Sequence, residues 1–250
     1  MKKVILALLI LQLLNSQKVK SQNAAATTAA IVGTAAAIGA VVLAIEDMKE
    51  RAELKATQWV LANHPELTSF SLKTLDFDNK KIKDMSNTTV ITFKVQEFTP
   101  TNNPVLNGKK YVLFGFTSYG WISDQGIDFS KVNWYLVDSK EWLKMMTAYT
   151  KVSSAEKNNT LIEQTLSKGL IVNRGVKVGS KMQIPFYKLD GDMYLVTDYS
   201  QDMKFVYNEK SLGIFIKNTG NLVQMRRGSL IDIHEFFFSD QSDAANSDKW

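Results

Sequence analysis

A run of 23 residues without a single charge, residues 23–45, constrains this chain more than any other feature of its sequence. Ten of these residues are alanine, and only seven are isoleucine, valine or leucine. About 20 apolar residues suffice to cross the hydrocarbon core of a bilayer. However, membrane insertion is driven by the larger aliphatic side chains, so this composition makes a membrane span marginal. The run is better described as a helix of small residues.

Small residues recur at every fourth position of the run, which places them on one side of a helix. Two stripes of this kind are present: Ala25, Ala29, Gly33 and Ala37, and then Ala36, Ala40 and Ala44. Such stripes let two helix backbones approach closely. Three interpretations stay open: a helix packed on the chain's own β domain, a helix that associates with itself or a partner in or near a membrane, and a disordered linker, which the threonines and glycines favour.

Helical spacing continues beyond the uncharged run as far as Leu61. Apolar side chains step by three or four residues, opposite a charged face, along Val41, Ile45, Met48, Ala52, Ala56 and Trp59. Pro65 disfavours the α conformation at His64, so the helix is expected to end there. A continuous helix from Ala24 would be about 60 Å long at 1.5 Å per residue. His64 is predicted to be a polar residue at the helix end rather than a catalytic group.

Residues 1–21 have the pattern of a secretory signal. Lys2 and Lys3 form a basic start, and an apolar run follows over residues 4–14. Val19 and Ser21 stand three and one positions before a cut that would leave Gln22 as the first mature residue. These features are similar to those of exported bacterial proteins. We therefore expect export to the periplasm, the outer membrane or the surface of a bacterium.

The basic composition belongs largely to this predicted signal. The chain has a formal net charge of +5, and removal of residues 1–21 takes away four lysines and leaves +1. Binding to nucleic acid needs a concentrated basic surface, so no nucleic-acid partner is expected. The remaining basic runs, residues 80–83 and 226–227, are predicted to be solvated loops. The absence of cysteine excludes disulfides, a cysteine nucleophile and a lipid-modified N-terminal cysteine.

After the helix the apolar period changes to two, which predicts an α+β domain of mainly antiparallel strands over residues 66–238. Strands are expected at residues 70–77, with a register slip, and at 91–96 and 111–119. Asp190 and Gly191 predict a hairpin between residues 182–189 and 192–196. A second hairpin is predicted between residues 211–217 and 221–225, and residues 230–238 are predicted to be the last strand.

One or two helices are expected to interrupt the strands. Asp138 and Glu141 have the spacing of a capping box before an apolar run, and Thr160 and Glu163 repeat it, with Gly169 as a stop. The predicted plan is a signal at 1–21, a small-residue and then amphipathic helix at 22–65, the α+β domain at 66–238, and a disordered polar tail at 239–250.

Catalytic constellations are weak in this sequence. His234 and Asp232 would share one face of the predicted last strand, but no Gly-x-Ser-x-Gly motif supplies a nucleophile. A solvent-facing histidine is therefore favoured. Asp124 and Asp128 occupy a loop that lacks the spacing of an EF-hand. No glycine loop for phosphate and no dinucleotide fingerprint occurs, so we expect no catalytic residue, cofactor or metal.

Tyr119, Trp121 and Trp134 are the candidates for ligand binding, since exposed rings near strand ends stack on sugars or peptides. The alternative, that these rings complete the core, is favoured for each of them. The sequence as a whole predicts a non-catalytic, exported envelope protein. Its small-residue stripe, residues 25–37, would associate with a membrane, a protein partner or a second copy. A secreted glycan- or peptide-binding module is the second hypothesis, and a secreted hydrolase is the third.

Overall fold

The computed structural model of the chain describes residues 38–76, 88–123, 126–191 and 193–247. Within these ranges the helices are α1 (Ile38–Asn63), α2 (Ser139–Ser153), α3 (Asn159–Lys168) and α4 (Arg227–Ser247). The strands are β1 (Phe70–Asp76), β2 (Val90–Glu97), β3 (Lys110–Thr117), β4 (Ile122–Ser123), β5 (Gly126–Ile127), β6 (Val132–Asp138), β7 (Leu170–Val172), β8 (Gly175–Val178), β9 (Lys181–Pro185), β10 (Leu195–Asp198), β11 (Met203–Tyr207), β12 (Ser211–Ile216) and β13 (Asn221–Arg226). The predicted class, α+β with an N-terminal helix before a mainly antiparallel β domain, is confirmed.

Two four-stranded antiparallel sheets organise the domain. The first sheet has the order β1-β2-β3-β6, and the second is the meander β10-β11-β12-β13. Strands β7, β8 and β9 form a smaller sheet, and β4 pairs with β5. Short turns join most neighbours, as antiparallel pairing permits. The amide of Asn221 donates to the hydroxyl of Ser118 over 2.8 Å, which ties β13 to the loop that follows β3.

The first sheet separates two hydrophobic clusters because successive side chains of a strand point to opposite faces. On β2, Ile91, Phe93 and Val95 face α1. On β3, Phe114 and Phe116 face the other way, into a larger cluster with α2, α3, α4 and the second sheet. The sheet is therefore covered on both sides, and α1 forms one outer layer of the domain.

The amphipathic helix was predicted correctly over the residues whose side chains are described. Ala52, Ala56 and Val60 are fully buried against the first sheet, and Met48 and Trp59 are partly buried beside them. The helix ends at Asn63, directly before His64, as Pro65 requires. The signal at residues 1–21 and the stripe Ala25, Ala29, Gly33 and Ala37 lie outside the described residues.

Local turn and cap signals were reliable in several places. A register shift lies between Thr74 and Asp76 of β1, where the sequence predicts a slip, and β12 pairs with β13 as expected. Asp138 accepts a hydrogen bond from the backbone of Glu141 over 2.7 Å and caps α2. Helix α3 is capped by Asn158 rather than by Thr160, because the Asn158 side chain accepts from the third residue of the helix.

The prediction of a strand at residues 230–238 is wrong, since these residues belong to α4. The buried side chains follow helical spacing, at Leu230, Ile233, His234, Phe237 and Phe238. The short alternation of isoleucine with polar residues resembles a strand, but the phenylalanines after it extend the helical period. Helix α4 continues to Ser247, into the segment predicted to be a polar tail.

The predicted hairpin at Asp190 and Gly191 is also wrong. Gly191 adopts a positive φ of 67°, so the turn signal was correct. However, β9 pairs with β8 in the small sheet, whereas β10 pairs with β11 in the second sheet. The turn at Gly191 therefore joins two sheets, because β9 already has its partner through the tight turn at Gly179.

Gly175, the first residue of β8, is expected to tolerate no side chain. Its φ is +148°, and a Cβ atom would lie 2.1 Å from the carbonyl oxygen of Ile184. Gly175→Ala should therefore lower the free energy of unfolding by about 2–3 kcal/mol through backbone strain and this clash. Gly179→Ala is the matched control, because its φ is +58° with open space around it. Chemical denaturation should find the smaller loss for the control, and equal losses would refute the steric argument.

Candidate functional site

The three aromatic residues proposed for ligand binding lie in different environments. Trp121 is fully buried in the cluster under α1, so its ring offers no surface to a ligand, and its predicted binding role is corrected to a core role. Trp134 is half-buried and packs on Phe93, with ring centroids 6.0 Å apart. Tyr119 is 80% exposed. Among the described residues no ring contact joins Tyr119 to Trp134, so the three do not form one binding surface.

His234 is buried rather than solvent-facing, which corrects the prediction from the sequence. The indole nitrogen of Trp142 donates to His234 Nδ1 over 3.3 Å. His234 Nε2 lies 2.9 Å from the carbonyl oxygen of Leu166 and 3.2 Å from that of Gly169, so Nε2 carries the proton and donates. Burial lowers the pKa of His234 to about 4 and outweighs the two carbonyl contacts, which raise it. The residue is a neutral link between α2, α3 and α4.

The carboxylates near His234, and those in the loop of Asp124 and Asp128, do not form an acid–base pair among the described residues. Asp232 is exposed on α4, away from the buried His234 ring. Asp128 accepts from both the backbone and the hydroxyl of Ser130, and these hydrogen bonds lower its pKa. It therefore caps the short 3-10 turn Phe129–Lys131. Asp124 and Asp192 lie outside the described residues.

An ionic cleft of about 330 Å³ lies between the end of α1 and the start of α2. His64 Nδ1 pairs with Glu66 Oε1 at 2.9 Å, and on the α2 side of the cleft Lys144 Nζ pairs with Glu141 Oε2 at 3.3 Å. The pKa of Glu66 is lowered, first by a backbone hydrogen bond and then by His64. Among the described residues that line this cleft, the histidine–carboxylate pair has no serine, threonine or cysteine beside it that could serve as a nucleophile.

A second, larger cleft of about 580 Å³ opens where α4 begins. It contains Arg226 and Arg227, which the sequence predicts to be a solvated loop. The prediction of a loop is wrong for both residues, since Arg226 ends β13 and Arg227 begins α4. Arg226 is exposed to solvent as expected, whereas Arg227 is only 8% exposed. The sequence gives one signal for this difference, because alternation along β13 places residues 226 and 227 on opposite sides. Arg227 is the functional candidate that sequence reasoning missed.

Metal binding and membrane crossing are two further possibilities for the described ranges. There, no group of three or more histidine, aspartate and glutamate side chains is arranged to hold a metal ion. Nor is any helix in that part of the chain both long and apolar enough to cross a bilayer. The most unusual group beside the described clefts is the buried Arg227.

Comparisons with known proteins leave the function to be argued from this chain alone, because no family model, curated protein or solved structure matches it.

Proposed function

We propose that the protein is an exported component of a bacterial cell envelope, without catalytic activity. Its N-terminal helical segment attaches the β-rich domain to a membrane, to a protein partner or to a second copy. The attachment surface is the stripe Ala25, Ala29, Gly33 and Ala37. Export follows from the signal pattern of residues 1–21.

The observation that carries this proposal is the way in which α1 packs on its own domain. Ala52 and Ala56, four residues apart, are fully buried and bring the helix close to the first sheet. Among side chains with described surroundings, the contacts with this cluster begin at Met48. Small residues at a spacing of four are thus the means of close packing that the chain already uses, and the same spacing continues upstream.

The upstream stripe would face away from the chain's own sheet. At 100° per residue, Gly33 lies about 120° around a continuous α-helix from the midpoint between Ala52 and Ala56. The sequence predicts such continuity from Ala24. The first interpretation of residues 23–45 is a helix packed on the chain's own β domain. The geometry of α1 favours the second interpretation instead, in which the stripe packs on a partner.

The stripe is tested in the full chain by the double substitution Gly33→Leu and Ala37→Leu. Two leucines would hold the helices apart, and overpacking of this kind costs about 1–3 kcal/mol, or about a 5- to 150-fold weaker association. Ala35→Leu is the matched control, because it adds the same side chain on another side of the helix. Association is measured by sedimentation of the purified protein and by its share in the membrane fraction. If the double variant sediments like the natural chain and has the same share in the membrane fraction, the stripe is not the attachment surface.

A further inference from the structure

The cleft at the start of α4 concentrates positive charge. Its lining includes the exposed side chains of Lys210 and Arg226, the buried side chain of Arg227, and one carboxylate, that of Glu209. Within the described part of the chain, no ion pair joins Glu209 to any of the three cations. The lining therefore carries three positive charges against one negative charge, and none of them is neutralised by direct contact.

Arg227 is the unusual member of this cleft. Its Nη1 donates to the carbonyl oxygen of Asn173, whereas Nε and Nη2 are buried without a hydrogen-bond partner in the described structure. Its guanidinium carbon lies 5.3 Å from the ring centre of Phe186 and 5.9 Å from that of Tyr207. Aromatic faces attract a cation, but they do not cancel its charge.

The phenols near Arg227 do not act as its counter-ion. Tyr149 packs edge-on against Phe186 and Tyr207, and its buried hydroxyl makes no hydrogen bond of standard length and angle among the described residues. Burial raises the pKa of Tyr149 to about 12, against the opposing effects of the Arg227 charge and of hydrogen bonding with Arg227, so the phenol is neutral at physiological pH. A buried charge without a counter-ion is costly, and its field extends into the adjacent cleft through a medium of low dielectric constant.

The backbone at the start of α4 adds to the positive potential. The helix is 21 residues long, and its second residue, Gly228, lines the cleft. A Cβ atom placed on Gly228 would meet nothing within 4 Å, so the space over this backbone is open. The first turn of a helix carries a partial positive charge that favours a phosphate group. In α4 the N–H of Arg227 donates to the carbonyl oxygen of Lys210 over 3.2 Å, and the Ser229 hydroxyl donates to the Asp76 carboxylate, which leaves the backbone at Gly228 for the phosphate.

We propose that this cleft binds a phosphate group. The phosphate lies over the first turn of α4, where the side chains of Lys210 and Arg226 contact it, and the buried guanidinium of Arg227 supplies the counter-charge behind it. Phosphate fits the site because its two negative charges match the excess of positive charge in the lining. A free phosphate compound and the head group of an anionic lipid both offer this chemistry. The site is independent of the helix stripe proposed for attachment.

The test is a titration of the full chain with inorganic phosphate at constant ionic strength, followed by the backbone amide resonance of Gly228. A saturable shift of this resonance is expected. The double substitution Lys210→Ala and Arg226→Ala should weaken the affinity at least about tenfold, since it removes two charged hydrogen-bond donors. Both side chains are exposed, so the variant should fold normally. No shift at Gly228, or an unchanged affinity in the double variant, would overturn the proposal.

Two further variants sharpen this result. Glu209→Gln removes the single negative charge of the lining and should strengthen phosphate binding, which a merely unfolded variant could not do. Lys181→Ala removes an exposed lysine at the far end of the β8–β9 hairpin and should leave the affinity unchanged. A loss of affinity in Lys181→Ala as large as in the double variant would refute a local site.

The source of the phosphate is then distinguished with vesicles. A lipid head group would be identified if the protein binds vesicles of phosphatidylglycerol but not of phosphatidylcholine, and if inorganic phosphate displaces it from those vesicles. Binding of inorganic phosphate without vesicle binding would identify a soluble phosphate compound. Vesicle binding that persists in the double variant would contradict the assignment of lipid binding to this cleft.

Discussion

Trp121→Ala is expected to lower the free energy of unfolding by about 3–5 kcal/mol. The Trp121 side chain is fully buried in the cluster that joins α1 to the first sheet, to which α1 contributes Ala52 and Ala56. Two small residues on the helix cannot fill the space that a lost indole would leave. The cavity and the lost apolar contacts therefore add to one another. Equilibrium denaturation in urea, followed by circular dichroism, measures the loss.

Tyr119→Ala is the matched control for this prediction. Tyr119 is two positions away in the sequence and 80% exposed, so its removal should change the stability by about 0.5 kcal/mol at most. This pair of variants also separates a core role from a binding role for Trp121. If Trp121→Ala kept the natural stability and instead abolished binding to a glycan or peptide, the core assignment would be wrong.

Acidification is expected to destabilise the domain through His234. The ordinary pKa of histidine is 6.5, and burial lowers that of His234 to about 4 in the folded state. The unfolded chain therefore binds a proton at higher pH than the folded chain does. The contribution is fully present above pH 6.5 and is lost progressively as the pH falls towards 4, in total about 3 kcal/mol at 1.36 kcal/mol per pH unit.

The substitution His234→Gln isolates this effect from the titration of carboxylates. Glutamine retains a donor and an acceptor but does not titrate in this range, so the variant should be less stable than the natural chain at pH 7. The difference in unfolding free energy should shrink by about 3 kcal/mol between pH 7 and pH 4. A constant difference for His234→Gln at every pH would contradict a buried, neutral imidazole.

Local sequence signals predicted much of the fold. The spacing of Met48, Ala52 and Ala56 identified the buried face of α1, and Asp138 with Glu141 identified the start of α2. These features depend on neighbours within one or two turns of the chain, so a single sequence contains them. The strand pair β12–β13 belongs to the same class, because the short connection between Ile216 and Asn221 leaves few other partners.

The errors concern choices that only the tertiary structure makes. The turn at Gly191 is real, but which strand pairs with β9 depends on the competing turn at Gly179. Residues 230–238 carry both a short alternating pattern and a longer helical one, and packing against α3 and β3 favours the helix. Strand and helix periods are hard to separate in short apolar runs.

The candidate site was less predictable than the fold. Whether an aromatic ring near a strand end is buried depends on what covers it, and α1 covers Trp121 but not Tyr119. Arg226 and Arg227 look alike in the sequence. However, Arg226 ends β13 and Arg227 begins α4, so their side chains lie in different environments. Burial of Arg227 beside the rings of Phe186 and Tyr207 follows from contacts between residues far apart in the chain.

Fractionation of cells that export the natural chain or a chain lacking residues 22–45 tests the central claim most directly. This deletion spares Ala52, Ala56 and Val60, which belong to the core, so the domain should remain folded. We expect cross-linking to retain the natural chain in a complex or in the membrane fraction, and to find the shortened chain alone and soluble. The same complexes for both chains, with the shortened chain folded, would contradict attachment through the N-terminal helix.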